Sequence, residues 1–557
     1  VISRRVGSHL SRYRQIAEVL ARHGLGFLVD VTGLGRFVPL HFGPLRVPGR
    51  GEPVSRPARL RLALAELGTT FIKLGQILST RGDLLPQEYV SELSKLQDQG
   101  PIIPPEEILA IVTDELGRPV DEVFASFNLE PLAAASIGQV HLARLLDGTE
   151  VVVKVRRPNV EQQVAQDLEI LQNLAATTSR HWELADEYDV VGLVEEFAQT
   201  LRGELDYVRE GHSAEQVARN FAGDNAIHIP RVYWEQTTTR ILTLERIRGI
   251  KINDPQALEA AGIDRQALAR RAARALFKMT LEDGFFHADP HPGNFLIEPD
   301  GRIGLIDFGM MGTLDQHTRD QLIEAVLAVG SRDSDRMVDS LLALRVARHR
   351  VNRPVLRRDL EHLVSRYYGR PLGELEIAPL IDDSLALVRR HHLQLPAGLA
   401  LLAKTAMMSE GLGRQVDPSF RLPQTIVPYA RRLVIQQYSP QRIARVVGQA
   451  TLDLARLGVE LPEQVRRIVS ELEHGGIEVG VRPEGFDPLI RRFERLANRI
   501  VLGIIVAAFV NGLAVLVSVY HPAAIDRWAG LAFAVGFAFA AIIGVYLAWS
   551  ILRSGRG

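Results

Sequence analysis

The chain has 557 residues, 46% of them hydrophobic, and a formal net charge of −1. That length holds more than one domain's worth of chain, and the balanced charge gives no basic field of the kind that draws nucleic acid. There is no cysteine, which excludes disulfides, thiolate metal sites and a thiol nucleophile, and agrees with a reducing compartment.

Residues 1–24 are basic and helical in pattern, with Leu10, Ile16 and Leu20 among Arg4, Arg5, Arg12 and Arg14. No long apolar core with a small-residue cleavage site follows, so the segment is not read as a secretory signal. Residues 26–40 are apolar but broken by Asp30, Gly33, Gly35 and Arg36. They are too interrupted to span a bilayer, and either lie in its interface or pack on the protein. Residues 44–57, rich in Pro, Gly and Arg, read as a linker. Residues 58–126 read as helical, with a helix start at Pro104-Pro105-Glu106-Glu107. Within them Phe71-Ile72-Lys73-Leu74-Gly75-Gln76 has apolar residues at helical spacing. A glycine there costs about 1 kcal/mol against alanine, so a close approach is expected: either to another helix, or over a cleft into which Lys73 and Gln76 point.

The next segment carries nucleotide-loop features. Ala133-Ala134-Ala135-Ser136-Ile137-Gly138-Gln139-Val140 overlays G-x-G-x-x-G-x-V, with Ala133 and Ala135 where the first two glycines belong. After the Asp147-Gly148 turn, Val151-Val152-Val153-Lys154 reads as a strand ending in a lysine that would pair with the α- and β-phosphates. Such a lysine needs an acid on a following helix. Residues 194–220 are helical in pattern, and Glu204 is the first choice to bind Lys154; Glu195, Glu196, Asp206 and Glu210 lie on the same stretch. A strand from Arg240 to Ile247, with a turn at Gly249, falls where a kinase hinge belongs. Its backbone from Glu245 to Ile247 would hydrogen-bond adenine.

His287-Ala288-Asp289-Pro290-His291-Pro292-Gly293-Asn294 and then Asp307-Phe308-Gly309 give H-x-D-x-x-x-x-N followed by D-F-G, the spacing of a catalytic loop and its metal-binding segment. Asp289 would stand beside the attacking group. Asn294 would turn back toward a metal, and Asp307 would hold Mg²⁺ against the phosphates. Between them, two short strands flank the Asp300-Gly301 turn. Beyond D-F-G there is no A-P-E: residues 310–316 run almost directly into a helix, so the usual peptide-docking platform is expected to be missing. Further amphipathic helices follow at 315–329, 333–344, 379–392 and 396–410.

Residues 501–520 carry no charged side chain, and as a helix would cross the ~30 Å hydrocarbon core. Residues 528–552 form a second such segment after a short turn. Ala532, Gly536, Ala540 and Gly544 recur every four residues, as do Gly503, Ala507 and Asn511, which lets helices approach closely in lipid. Arg491, Arg492, Arg495 and Arg499 precede the first span and Arg553 and Arg556 follow the second, against Arg527 alone in the turn. The positive-inside bias puts the catalytic domain and both termini on the cytoplasmic side.

The alanine-rich loop, the H-A-D-P-H-P-G-N loop and the K-x-G-Q run at Lys73–Gln76 together resemble the UbiB/AarF/ADCK family of atypical kinases, from about residue 60 to about residue 430. The resemblance implies an α+β, bilobal, protein-kinase-like fold. Its expected parts are an N-terminal segment and linker (1–57), a helical K-x-G-Q extension (58–130), an N-lobe (131–249), a C-lobe with family-specific helices (250–440), a juxtamembrane region (441–498) and a transmembrane hairpin (499–552). It also implies ATP and Mg²⁺ as cofactors, with Lys73 and Gln76 acting from a lid over the cleft. Members are linked to isoprenoid-quinone metabolism, and ATP hydrolysis is better supported for them than phosphorylation of proteins in trans. The expected setting is the bacterial inner membrane. Expected partners are membrane lipid and quinone precursors or quinone-biosynthesis proteins, with no nucleic acid and a homodimer left open. Two alternatives stand beside an ATPase or kinase: an ATP-switched lipid chaperone, and a true protein kinase.

Overall fold

The structure is a computed structural model, and it describes residues 2–37, 55–96, 100–181, 189–344, 351–367, 374 and 376–425. The chain divides into two compact units, residues 1–442 and 443–557. The expected linker, the juxtamembrane region and the transmembrane hairpin lie wholly or mostly outside the described residues. Among the described residues, no helix is long and apolar enough to cross a membrane.

The first unit opens on the helix Ile2–Arg22. Its apolar face is buried: Ile16, Ala17, Val19 and Leu20 join Val29 and Leu34 in one cluster with Leu64, Leu67, Phe71, Leu93 and Ile170. Of the two readings for residues 26–40, packing on the protein is therefore the one found for Val29 and Leu34. Arg12 pins the helix down. Its guanidinium donates to both oxygens of buried Asp167, at 2.7 and 2.9 Å, and to the Leu67 carbonyl at 2.8 Å. A charged pair with this fork geometry satisfies the carboxylate on two sides.

The K-x-G-Q run lies on the helix Thr69–Leu78, set off from the helix Arg56–Leu67 by Gly68 at φ +93°. Gly75 answers the close approach expected of it. A Cβ there would collide with Leu96 and meet Leu64 at 3.0 Å, so the glycine permits helix packing.

The N-lobe sheet has the order β1 (Phe124–Phe127), β3 (Gly138–Leu145), β4 (Glu150–Arg156), β6 (Ile241–Glu245), with β2 (Ala133–Ala134) also on β3. All pairings in it are antiparallel. Side chains alternate across β4. Val151, Val153 and Val155 are fully buried against Ile108, Ile111 and Val112 of the helix Pro105–Leu116. Val152 and Lys154 therefore take the opposite face. The lobe begins earlier than the sequence boundary at 131. Phe124–Phe127 is a strand, and the helix before it packs on the sheet rather than on the extension.

The C-lobe carries two smaller sheets, β5 (Ile227–His228), β10 (Ile303–Leu305), β9 (Phe295–Ile297), β7 (Ile250–Lys251), and the pair β8 (Phe285–His287) with β11 (Met311–Thr313). Strands β9 and β10 flank Gly301 at φ +84°, the turn expected at Asp300-Gly301. Behind them Leu268, Ala272, Leu276, Phe286, Phe308, Leu399 and Leu412 form the core. After β11 the chain enters the helix Gln316–Ser331 at once, N-capped by Asp315 through the Thr318 amide at 2.7 Å. The short passage expected after D-F-G is what the fold contains.

Candidate nucleotide and phosphoryl-transfer site

The site forms where the free face of β4 meets the loops after β8 and β10. Lys154 stands on that face, in register with Val140 of β3 and Leu242 of β6. Its ammonium donates to Glu210 and, at 2.9 Å, to Asp307. Glu210 also accepts from the Phe308 amide at 3.3 Å, which ties the D-F-G backbone to the same acid.

The acid is thus Glu210, not Glu204. The stretch read as one helix is two, Val190–Glu204 and Tyr207–Asn220. Asp206 N-caps the second by accepting the Val208 amide at 3.1 Å. The break redirects the second helix, so Glu210 reaches Lys154 while Glu204 ends the first helix. There Glu204 meets Lys73 of the K-x-G-Q helix at 2.8 Å, both side chains at least nine-tenths buried. Gln76 does not point as expected: its amide donates to the Leu96 carbonyl at 3.2 Å, holding the extension's own loop.

Electrostatics follow from crowding. Burial disfavours charge on Lys154, but Asp307 and Glu210 outweigh it and raise its pKa. Burial pushes the Glu210 carboxyl up, to about 7, with Lys154 pulling the other way and Asp307 adding to the rise. Burial would raise Asp307 too, yet Lys154 holds it well below the usual carboxylate range. One face of Asp307 stays open, its side chain 42% exposed.

The loop from His287 to Asn294 is internally braced. The Asn294 amide donates to the Asp289 carbonyl at 3.1 Å, and the Asp289 amide donates to His287 Nδ1 at 3.2 Å. Burial lowers the pKa of His287 despite nearby Asp307 and Asp289, so a neutral ring supports the loop. Asp289 is met by Lys404, from the helix Ala397–Val416, at 3.2 Å. Sequence reasoning missed Lys404: a single lysine on a distant helix carries no motif.

The alanine loop is a tight hairpin. The Ala135 amide donates to the Gly138 carbonyl at 2.8 Å, leaving Ser136 and Ile137 at the tip. Arg157 donates to the Ala135 carbonyl from its side chain at 3.0 Å and to the Ile137 carbonyl from its backbone at 2.8 Å. Thr69, at the start of the K-x-G-Q helix, donates to the Ser136 carbonyl at 3.3 Å. No residue from 133 to 138 has positive φ, so alanine is accommodated without backbone strain. Gly138 is needed for space, since a Cβ would collide with the Tyr207 hydroxyl and lie 2.7 Å from the Val155 carbonyl. Val140 lies beside Lys154 on the same strand pair. At the hinge, the amides of Glu245 and Arg246 donate to the Arg231 and Glu150 carbonyls, and Ile247 packs on Gly304 of β10.

A second contact joins the extension to the C-lobe. Arg81 is buried, with both its Nε and Nη2 on Asp83, at 2.9 and 2.8 Å. Asp83 accepts the Leu395 amide at 3.1 Å, and Arg389 donates to the Gly82 carbonyl.

The ABC1 atypical kinase-like domain matches residues 95–341, the UbiB helical domain residues 360–421, and the ABC1/UbiB kinase-like C-terminal domain residues 484–553. A probable protein kinase UbiB of Xanthomonas euvesicatoria is 34% identical over 98% of this chain and 97% of its own length. The chain belongs to the ABC1/UbiB family of atypical kinase-like proteins. Its relatives include an uncharacterized Synechocystis protein, 38% identical over 78% of this chain and 75% of that one. A solved structure, the Rv3197–erythromycin complex from Mycobacterium tuberculosis, is 25% identical over 64% of this chain and 94% of that one, with a TM-score of 0.43. Lys404 and the Arg389 contact fall within the UbiB helical domain, which therefore supplies a charged group to the kinase-like site.

Proposed function

We propose that this ABC1/UbiB chain is a membrane-anchored, Mg²⁺-dependent ATPase or atypical kinase that serves isoprenoid-quinone biosynthesis at the inner face of a bacterial membrane. The observation that carries the reading is the Lys154–Glu210–Asp307 cluster beside Asp289 and Asn294. Phosphoryl transfer is mainly positioning and charge neutralisation, and these residues supply both. Lys154, held by Glu210, would orient the α- and β-phosphates. Asp289 would accept the proton of the attacking water or hydroxyl. The alanine loop would lie over the phosphates, and adenine would be read through the Glu245 carbonyl and the Ile247 amide.

Among the described residues no group of three His, Cys, Asp or Glu side chains forms a self-sufficient metal site. A Mg²⁺ site built from one carboxylate, one amide and substrate phosphates requires none. Asp307, ionised and with an open face, and Asn294, fixed by its bond to Asp289, fit that donor set. The ion would neutralise phosphate charge as the bond breaks.

Quinone biosynthesis is the family-level expectation, and relatives over nearly the whole length are named probable protein kinase UbiB. Membrane anchoring rests on the two uncharged segments near the C-terminus and their flanking arginines. An ATP-switched lipid chaperone is supported by one contact, Thr69 on Ser136, which ties the extension to the nucleotide loop. A protein kinase has less support, because the chain passes from β11 straight into the helix Gln316–Ser331. The test is phosphate release by the full chain in anionic liposomes with quinone-precursor mimics. Turnover by wild type and none by Asp307→Asn supports the ATPase; nucleotide binding without turnover supports the chaperone; a labelled protein substrate supports the protein kinase.

A further inference from the structure

Asp289 lies in a loop that carries no cation of its own: His287-Ala288-Asp289-Pro290-His291-Pro292-Gly293-Asn294 contains neither lysine nor arginine. The charge of Lys154 is already engaged by Glu210 and Asp307. The cation at Asp289 comes instead from Lys404, 115 residues downstream, whose Nζ is 3.2 Å from Asp289 Oδ1. Lys404 is 16% exposed and Asp289 35%, so the pair sits at the mouth of the site rather than in the core.

The helix that carries Lys404 is registered on the catalytic strands at two further points. Gly398 packs so tightly against β11 that a Cβ would lie 2.7 Å from the Thr313 carbonyl. Thr405 points its hydroxyl at the His287 carbonyl, at 3.4 Å in a buried setting. These contacts fix the height and rotation of the helix, and Lys404 is aimed by them. A preorganised charge of this kind costs no reorganisation when the reaction occurs.

We propose that Lys404 is a positioning residue for phosphoryl transfer, donated to the kinase-like site by the helical domain; this rests on the ATPase or kinase reading above. By holding Asp289 Oδ1 it leaves Oδ2 to face the attacking oxygen. When water attacks, its oxygen bonds to the γ-phosphorus, the bond from that phosphorus to the β–γ bridging oxygen breaks, and ADP leaves with the electron pair. The water proton goes to Asp289 Oδ2 and then to solvent. Lys404 holds the carboxylate in line and places one positive charge next to a site that already gathers Asp289, Asp307, Glu210 and the phosphates.

The test is steady-state ATP turnover and equilibrium ATP binding by the full chain in liposomes, for wild type, Lys404→Met, Lys404→Arg and Thr405→Val. Losing the alignment of a general base costs on the order of tenfold to a hundredfold in kcat. Lys404→Met should show that loss with KM and ATP affinity within about twofold of wild type, because uniform binding is untouched. Lys404→Arg should recover most of the rate. Thr405→Val, which removes one of the contacts that aim Lys404 but keeps its charge, should lower the rate by less than Lys404→Met does. Equal turnover in Lys404→Met and wild type overturns this proposal alone. So does a parallel fall in rate and melting temperature for Met, Arg and Val variants alike, which marks a packing role. A wild type that binds ATP but never turns it over overturns the ATPase or kinase reading and this proposal with it.

Discussion

Replacing Glu204 by leucine removes a carboxylate paired with a buried lysine. Lys73 is 8% exposed and Glu204 4%, with 2.8 Å between charged atoms. At an effective dielectric of about 20, that separation is worth about 6 kcal/mol of attraction. Most of it offsets the cost of taking both charges out of water, so the pair contributes little beyond a hydrophobic equivalent. Breaking the pair is another matter, because the buried ammonium loses the carboxylate 2.8 Å away, and removing one member of a buried pair costs about 3–5 kcal/mol. Glu204→Leu should therefore lower stability by about that amount, while Lys73→Met with Glu204→Leu recovers most of it. The assay is chemical denaturation of the full chain in detergent, followed by tryptophan fluorescence and by protease cleavage of the extension. The first loss should be detachment of the Thr69–Leu78 helix from the Val190–Glu204 helix, seen as early proteolysis. A single variant within about 0.5 kcal/mol of wild type, the scatter of ordinary surface changes, would refute the pairing and its burial.

Three other outcomes follow from the packing. Asp83→Ala strips a buried guanidinium of its fork partner and frees the Leu395 amide; it should cost about 3 kcal/mol and expose the 79–85 segment to protease before the lobes unfold. Gly138→Ala forces a methyl against the Tyr207 hydroxyl and the Val155 carbonyl; overpacking of about 1–3 kcal/mol should lower the melting temperature and weaken ATP binding together. His141 is buried against Phe127 with its Nδ1 on the Asn128 carbonyl, and burial lowers its pKa. The unfolded chain then binds the extra proton below about pH 6.5, so stability should fall as pH drops through that value. His141→Gln should flatten this slope in denaturation curves at pH 5–8, and an unchanged slope would assign the acid sensitivity elsewhere.

Much of the candidate site was legible because the chemistry proposed for it fixes residue types at fixed spacing. Asp289, Asn294 and Asp307 come from one loop and one hairpin, and local geometry carries them together. Lys154 was legible because a strand of valines ends in it after a nucleotide-type loop. Glu210 was not, since a helix pattern does not by itself mark its breaks. The signal was present in Asp206, an N-cap residue in mid-pattern, and it moves the paired acid by almost two turns. The early start of the N-lobe was hidden by the brevity of Phe124–Phe127, four residues with little periodicity. Gln76 was read as facing the cleft because helical spacing puts it one turn from Lys73. That spacing fixes a face but not the neighbour, and the Leu96 loop occupies it. Lys404 lies beyond any local pattern, because its role depends on how a distant helix docks on β8 and β11.

The most direct test of the account is an equilibrium ATP-binding isotherm on the full chain, with and without Mg²⁺, for wild type, Asp307→Asn, Glu210→Gln and Glu204→Gln. Wild type should bind tightly only with Mg²⁺, Asp307→Asn should lose that metal dependence, and Glu210→Gln should weaken binding more than Glu204→Gln. Metal-independent binding that none of the three substitutions changes would contradict a nucleotide site built on Lys154, Glu210 and Asp307.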